Sequence, residues 1–365
     1  MQKRQLGGTN LQVSIVGFGG TWLSEIDKPT AVNVVKTAFA SGINFFDTAH
    51  WDGDSEEKIG YALKNVRNQC IIATKTGSRT KEESLKDLKS SLQLLQTNYV
   101  DIIQLHGIDD EKTLSKAMGP NGALQTCKKA KKEKLTKFIG ITGHKPHVLT
   151  KAIKTGEFDT VLVPLNIITR QAEEELLPTA KDLDIGVIAM KSLYAKTSNL
   201  ITCMYRPSLS LVSDEPELKI ILGKNNDEMV SSLIRYNLSK DIASTIVGLR
   251  SHVEVEIAAK VGTNYQGLTT IEQKRFAYKF DTYCRDCALC MSCPEKINIP
   301  AILRFYDFFT IYGLKNWAHK LYGGLDVKSN KCTNCGICQQ KCPHNLPIVC
   351  TLKKMHETFD VNSNG

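Results

Sequence analysis

The chain has 365 residues, 42% of them hydrophobic, 23% charged and 7% aromatic, with a formal net charge of +9. That apolar share supports a sizeable core, and no run reaches the ~18 consecutive apolar residues that span a bilayer, so no membrane association is expected. Of the 12 cysteines, eight fall between Cys284 and Cys342, which excludes a scattered disulfide framework and points to metal.

The first ten residues, MQKRQLGGTN, lack the apolar core and cleavage site of an export signal, so a cytoplasmic, reducing location is expected. Short β-rich runs follow at 13–17, 43–47, 70–75, 100–106, 138–142, 160–164, 186–190 and 244–248. Helix patterning lies between them at 29–40, 55–63, 84–95, 146–153, 170–180, 227–237 and 252–261. The strands are near-continuous apolar runs, as parallel strands buried on both faces require. Eight strand-helix units predict an α/β chain with a (β/α)8 TIM barrel over 1–268 and a second domain over 269–365. The densest basic run, Lys128, Lys129, Lys131, Lys132, Lys134 and Lys137, has no interleaved aromatic residues. It reads as a solvated helix face, and no nucleic-acid partner is expected.

A barrel of this kind places its chemistry where strands end. Asp47 closes the second predicted strand, Lys75 the third and His106 the fourth. Three titratable side chains at three consecutive strand ends predict a site for a small-molecule substrate.

These residues lie in stretches that resemble aldo-keto reductases: LGGTNLQVSIVGFGGTW, GINFFDTAHWDGDSEEKIG, IIATKTG, DIIQLHGID, FIGITGHKP, LNIITRQAEEELLPTAKDLDIGVIAMKSL and STIVGLRS. The resemblance covers roughly residues 1 to 265. It implies a barrel that binds NADPH or NADH without a Rossmann fold and moves hydride beside an Asp, Tyr, Lys, His tetrad. Asp47, Lys75 and His106 match three members, but Asp52 stands where the proton-donating Tyr belongs. A carboxyl beside Lys75 is expected to be ionised at neutral pH, able to accept a proton rather than donate one. The site then favours base chemistry, takes its acid from His106, His50 or Tyr194, or has lost carbonyl reduction.

The resemblance also implies cofactor contacts. Gly20, Thr21 and Trp22 match the first loop, Asn166 the residue that meets the nicotinamide carboxamide, and Met190 takes the place of a stacking aromatic. Gly248, Arg250 and Ser251 match the phosphate-contacting segment after the eighth strand, where Arg250 can grip the 2′-phosphate of NADP. The Glu-Asn pair that follows in the family is not kept.

The tail carries two runs, Cys284, Cys287, Cys290, Cys293 and Cys332, Cys335, Cys338, Cys342, each followed by proline. Zinc sites usually set pairs of cysteines a dozen or more residues apart, whereas two tight runs closed by Cys-Pro favour iron-sulfur. The second run has ferredoxin spacing, and the whole resembles aldo-keto reductases with a C-terminal ferredoxin-like, mainly helical 4Fe-4S domain. That likeness implies two 4Fe-4S clusters, with the last Cys of each run serving the other run's cluster. Between the runs, 299–325 reads as a helical insertion.

Clusters pass single electrons and nicotinamide a hydride, so a flavin is the usual intermediary. No residue pattern announces a flavin, although a phosphate-binding barrel mouth can hold one. Three readings follow: a nicotinamide-linked oxidoreductase whose clusters serve a ferredoxin or flavoprotein partner, a base-driven lyase or isomerase with structural clusters, or an electron-transfer module with a decayed barrel.

Overall fold

The fold was read from a computed structural model, which describes residues 1–167, 169–193, 226–276, 284, 287–310 and 315–360. Eight parallel strands close into a barrel: β1 (Val16–Gly19), β2 (Phe45–Asp47), β3 (Ile71–Thr76), β4 (Val100–Leu105), β5 (Thr136–Thr142), β6 (Thr160–Pro164), β7 (Gly186–Met190) and β8 (Ser244–Gly248). Each strand pairs with its sequence neighbour, and β8 returns to β1. The described residues divide into two compact units, the barrel unit with 1–193 and 230–269, and a second unit with 226–229 and the residues from Thr270 onward.

The predicted first strand, 13–17, is two elements. Gln12–Ser14 pairs antiparallel with Lys3–Gln5 in an N-terminal hairpin, and β1 begins only at Val16. The apolar run masks the change of direction, because Val13 and Val16 are both fully buried, in two different sheets. Leu6 and Val13 of the hairpin pack with Phe45, Ile71, Ala73, Ile102, Leu162, Ile188 and Ile246 inside the barrel, plugging its N-terminal end. A larger apolar shell lies between strands and helices, with Val34, Val35, Ile59, Leu88, Leu124, Ile153 and Val255 among its buried members. Such a barrel is solid, so function is left to its C-terminal mouth.

Two helices lie between β4 and β5, Glu111–Met118, absent from the sequence expectation, and Ala123–Lys132, on which the basic run begins. Asp110 caps the first by accepting the Thr113 N–H at 2.7 Å. The second carries the basic run, whose lysines meet acids: Lys128 with Glu157 at 2.7 Å and Lys131 with Asp159 at 2.8 Å, while Lys137, in β5, meets Asp101 at 2.8 Å. Among the described residues no helix is long and apolar enough to cross a membrane.

The C-terminal unit is mainly helical, with Thr270–Phe276, Ile299–Thr310, Lys315–Gly323 and Ile348–Asp360. Its core includes Ile297, Ile302, Leu352, Met355 and Phe359. Tyr322 stacks on Phe359 with ring centroids 4.5 Å apart, and His319 meets the same ring edge-on at 5.1 Å. The predicted insertion is therefore two helices, and Phe305 is buried in its core.

Gly7 turns the hairpin at φ +51°, where a Cβ would stand 2.3 Å from the Gly186 backbone nitrogen. Gly7→Ala is expected to cost about 2 kcal/mol through backbone strain and overlap. A urea midpoint lowered at constant slope is the expected readout; an unchanged midpoint would show that the turn is not seated against β7.

Candidate active site and cysteine cavity

Asp47 is the last residue of β2, Lys75 the fifth of β3, and His106 follows β4 directly. The Lys75 ammonium donates to Asp47 Oδ2 at 2.5 Å and to the Thr48 carbonyl at 2.7 Å, with both charged side chains about nine-tenths buried or more. Gln104 of β4, the register partner of Lys75, donates from Nε2 to Asp47 Oδ1 at 2.9 Å. A buried ion pair persists only when its remaining lone pairs and protons are satisfied, and Gln104 and Thr48 do this. Gln104 was missed in the sequence, although a lone amide in an apolar strand was the available signal.

Asp52 does not take the Lys75 ammonium as a direct partner. It accepts the Thr21 hydroxyl at 2.9 Å on Oδ2. Burial lifts its carboxyl above the ordinary 3.8, ahead of the opposing pull of Lys75 and the Thr21 hydrogen bond; Asp47 and Glu56 add to the lift. Burial is thus the larger influence and raises the carboxyl against the pull of Lys75, whose ammonium is committed to Asp47.

His106 moves the other way. Burial first, and then the Lys75 charge, push its pKa down to about 3, and Nδ1 is buried without a partner. It is neutral near pH 7, so it can offer a ring N–H but no imidazolium proton. His50 is tied to carboxylates, with Nδ1 3.2 Å from Glu56 Oε2 and Nε2 3.9 Å from Asp87 Oδ1. Glu56 is buried on the helix Ser55–Leu63 and accepts the Thr74 hydroxyl at 2.5 Å. Tyr194, the other candidate acid, lies outside the described residues, as does the loop after β7.

Trp51, unremarked in the sequence, is 63% exposed at this mouth. Its ring lies on Gly77, where a Cβ would meet it at 2.3 Å, and its centroid is 6.3 Å from that of His106.

The expected nucleotide contacts fall on the arc β6-β7-β8-β1, opposite β2, β3 and β4. After β1, Gly20 is buried and its carbonyl accepts the Ser55 hydroxyl at 2.8 Å; Trp22 lies so close to Gly248 that a Cβ there would meet the indole at 2.3 Å. Asn166, just past β6, accepts the Thr169 N–H at 2.8 Å and donates to the Lys191 carbonyl at 3.1 Å, which fixes its amide plane. Met190 ends β7, half-buried. Ser251 caps the helix His252–Asn264 by accepting the Glu254 N–H at 3.3 Å. Arg250 lies beside Glu254, Nη2 to Oε1 3.8 Å.

In the C-terminal unit, Cys293, Cys332, Cys335 and Cys338 line one small cavity together with Pro294, Ile299, Val349 and Leu352. Three cysteines of the second run thus face the last cysteine of the first. Cys284 and Cys287 lie near Cys290, which sits in the short turn Leu289–Met291. Cys342 follows the helix Ile337–Gln340, half-buried. Among the described residues no three His, Cys, Asp or Glu side chains form a site for a single metal ion. Four sulfurs around a cavity fit a cubane cluster.

The raised Asp52 carboxyl has a signed consequence for folding. With the folded pKa above 3.8, its ionised form costs stability as pH rises through that pKa, and the cost vanishes below 3.8, where folded and unfolded states both hold the proton. Asp52→Asn is expected to raise Tm at pH 7 and to leave it unchanged near pH 3. A drop at pH 7 would contradict the assignment.

Two family profiles match the chain: "Aldo/keto reductase family" over residues 15–262 and "4Fe-4S dicluster domain" over residues 283–347. L-galactose dehydrogenase from Arabidopsis thaliana is 33% identical over 295 residues, 73% of this chain and 90% of that one. An uncharacterized oxidoreductase of Bacillus subtilis is 31% identical over 203 residues, 52% of this chain and 64% of its own. In fold, the chain is similar to the holo form of an aldo-keto reductase from Bacillus halodurans, with TM-score 0.63 at 24% identity over 76% of this chain and 95% of that one. It is also similar to an aldo/keto reductase from Klebsiella pneumoniae in complex with NADP and acetate, with TM-score 0.59 at 18% identity over 76% and 94%. Together with the closed barrel and the paired charges at its mouth, the profile match shows that this chain belongs to the aldo/keto reductase family and carries a 4Fe-4S dicluster domain C-terminal to its barrel.

Proposed function

We propose that the barrel is a nicotinamide-linked oxidoreductase of small carbonyl and alcohol substrates in which the Asp52 carboxyl moves the proton. One observation carries this reading: the side chain at the family's tyrosine position is a carboxyl that burial holds above the ordinary 3.8. A bound nicotinamide supplies or accepts the hydride. Asp52 gives its proton to the developing alkoxide in reduction and takes one from the alcohol in oxidation. Lys75, pinned by Asp47 and Thr48, is the fixed positive charge that steadies the carboxylate left behind. Neutral His106 contributes polarity without competing for the proton, and Trp51 offers the substrate an aromatic wall. Kinship with a protein named L-galactose dehydrogenase supports alcohol oxidation as one direction.

Asp52→Asn is expected to lower kcat for both directions by ~10²- to 10⁴-fold, the usual contribution of a general acid-base. Asp52→Tyr should keep aldehyde reduction and move the pH-rate break upward, toward the phenol range. Full activity in Asp52→Asn would exclude the carboxyl as the proton carrier.

We assign the eight tail cysteines to two 4Fe-4S clusters that exchange single electrons with a ferredoxin or flavoprotein partner. A flavin is the carrier that would join them to hydride chemistry. Anaerobically purified protein should contain about eight irons with broad absorbance near ~400 nm. Cys293→Ser should remove about half of that iron, because Cys293 lines the cavity of the second run; loss from neither cluster would refute the crossed ligation.

A further inference from the structure

We propose that Glu254 is a specificity-determining residue that sets this barrel for NAD(H) over NADP(H), an inference that rests on the nicotinamide-linked reading above. Beyond β8 the chain runs through Arg250 and Ser251 into the 13-residue helix His252–Asn264. The helix-capping Ser251 holds the Glu254 N–H and so turns the Glu254 side chain back over the helix start. There its Oε2 accepts the Arg250 backbone N–H at 2.6 Å, and its Oε1 lies 3.8 Å from the Arg250 guanidinium.

Arg250 is the cation expected to receive a 2′-phosphate, and Glu254 already occupies it. The two side chains are only 21% and 19% exposed, so water screens the pair weakly. A 2′-phosphate carries about −2 at neutral pH and three acceptor oxygens, and it would have to displace or face a carboxylate. The 2′-hydroxyl of NAD is the opposite partner, since a hydroxyl donates to a carboxylate; acidic residues select NAD by this contact in other dinucleotide folds. The backbone N–H of Arg250, a donor that an anion at the helix start would use, is likewise spent on Glu254.

The test is equilibrium binding of NAD+ and NADP+ to the anaerobically purified full chain, by calorimetry or quenching of tryptophan fluorescence. Wild type is expected to bind NAD+ about ten-fold more tightly than NADP+. Glu254→Gln, which keeps an acceptor for the Arg250 N–H, should shift the affinity ratio toward NADP+ by about ten-fold. Adding Arg250→Leu should cancel that shift, since it acts through the freed guanidinium. A wild-type preference for NADP+, or a ratio that Glu254→Gln does not move, overturns the assignment of Glu254 and leaves the nicotinamide reading standing. Binding of neither dinucleotide overturns both.

Discussion

One buried ion pair organises the mouth of this barrel. Lys75 and Asp47 are held on adjacent strands at 2.5 Å, in a space from which the closed sheet and its outer helices have removed most water. Desolvating two such charges costs several kcal/mol each, so the pair requires its hydrogen bonds to Thr48 and Gln104. The neighbours then answer to the same low dielectric. Asp52, unable to claim Lys75, is pushed up, while His106 is pushed down, so both are biased toward their neutral forms.

Asp47, Lys75 and the two cysteine runs were legible because their meaning lies in identity and spacing: a charge at the end of an apolar strand, or a thiol every third residue. The division between Ser14 and Val16 was hidden because burial is continuous from Val13 across it to Gly17. The upward shift of the Asp52 carboxyl could not be read either. Proximity to Lys75 can be guessed from a family pattern, but the balance between that charge and burial depends on where the ammonium's own hydrogen bonds go. Glu254 was recoverable in principle, since Ser251 with an acid three residues later is a helix-start signature that places the carboxylate over Arg250.

The tail obeys a different logic. Its cysteines recur at short intervals, so the backbone turns wrap one small object, and the crossing of Cys293 into the cavity of Cys332, Cys335 and Cys338 ties distant stretches of chain together. Two oxidised clusters, each of about −2 with its thiolates, would lower the formal +9 to roughly +5.

The central claim, that burial prevails over Lys75 at Asp52, is open to direct titration of the Asp52 carboxyl by isotope-edited infrared or ¹³C NMR spectroscopy, with Asp52→Asn identifying the signal. The account predicts protonation with a midpoint above 3.8 in the folded protein. A midpoint at or below 3.8 would contradict it, returning Asp52 to the control of Lys75 and removing the proton that the barrel mouth is proposed to carry.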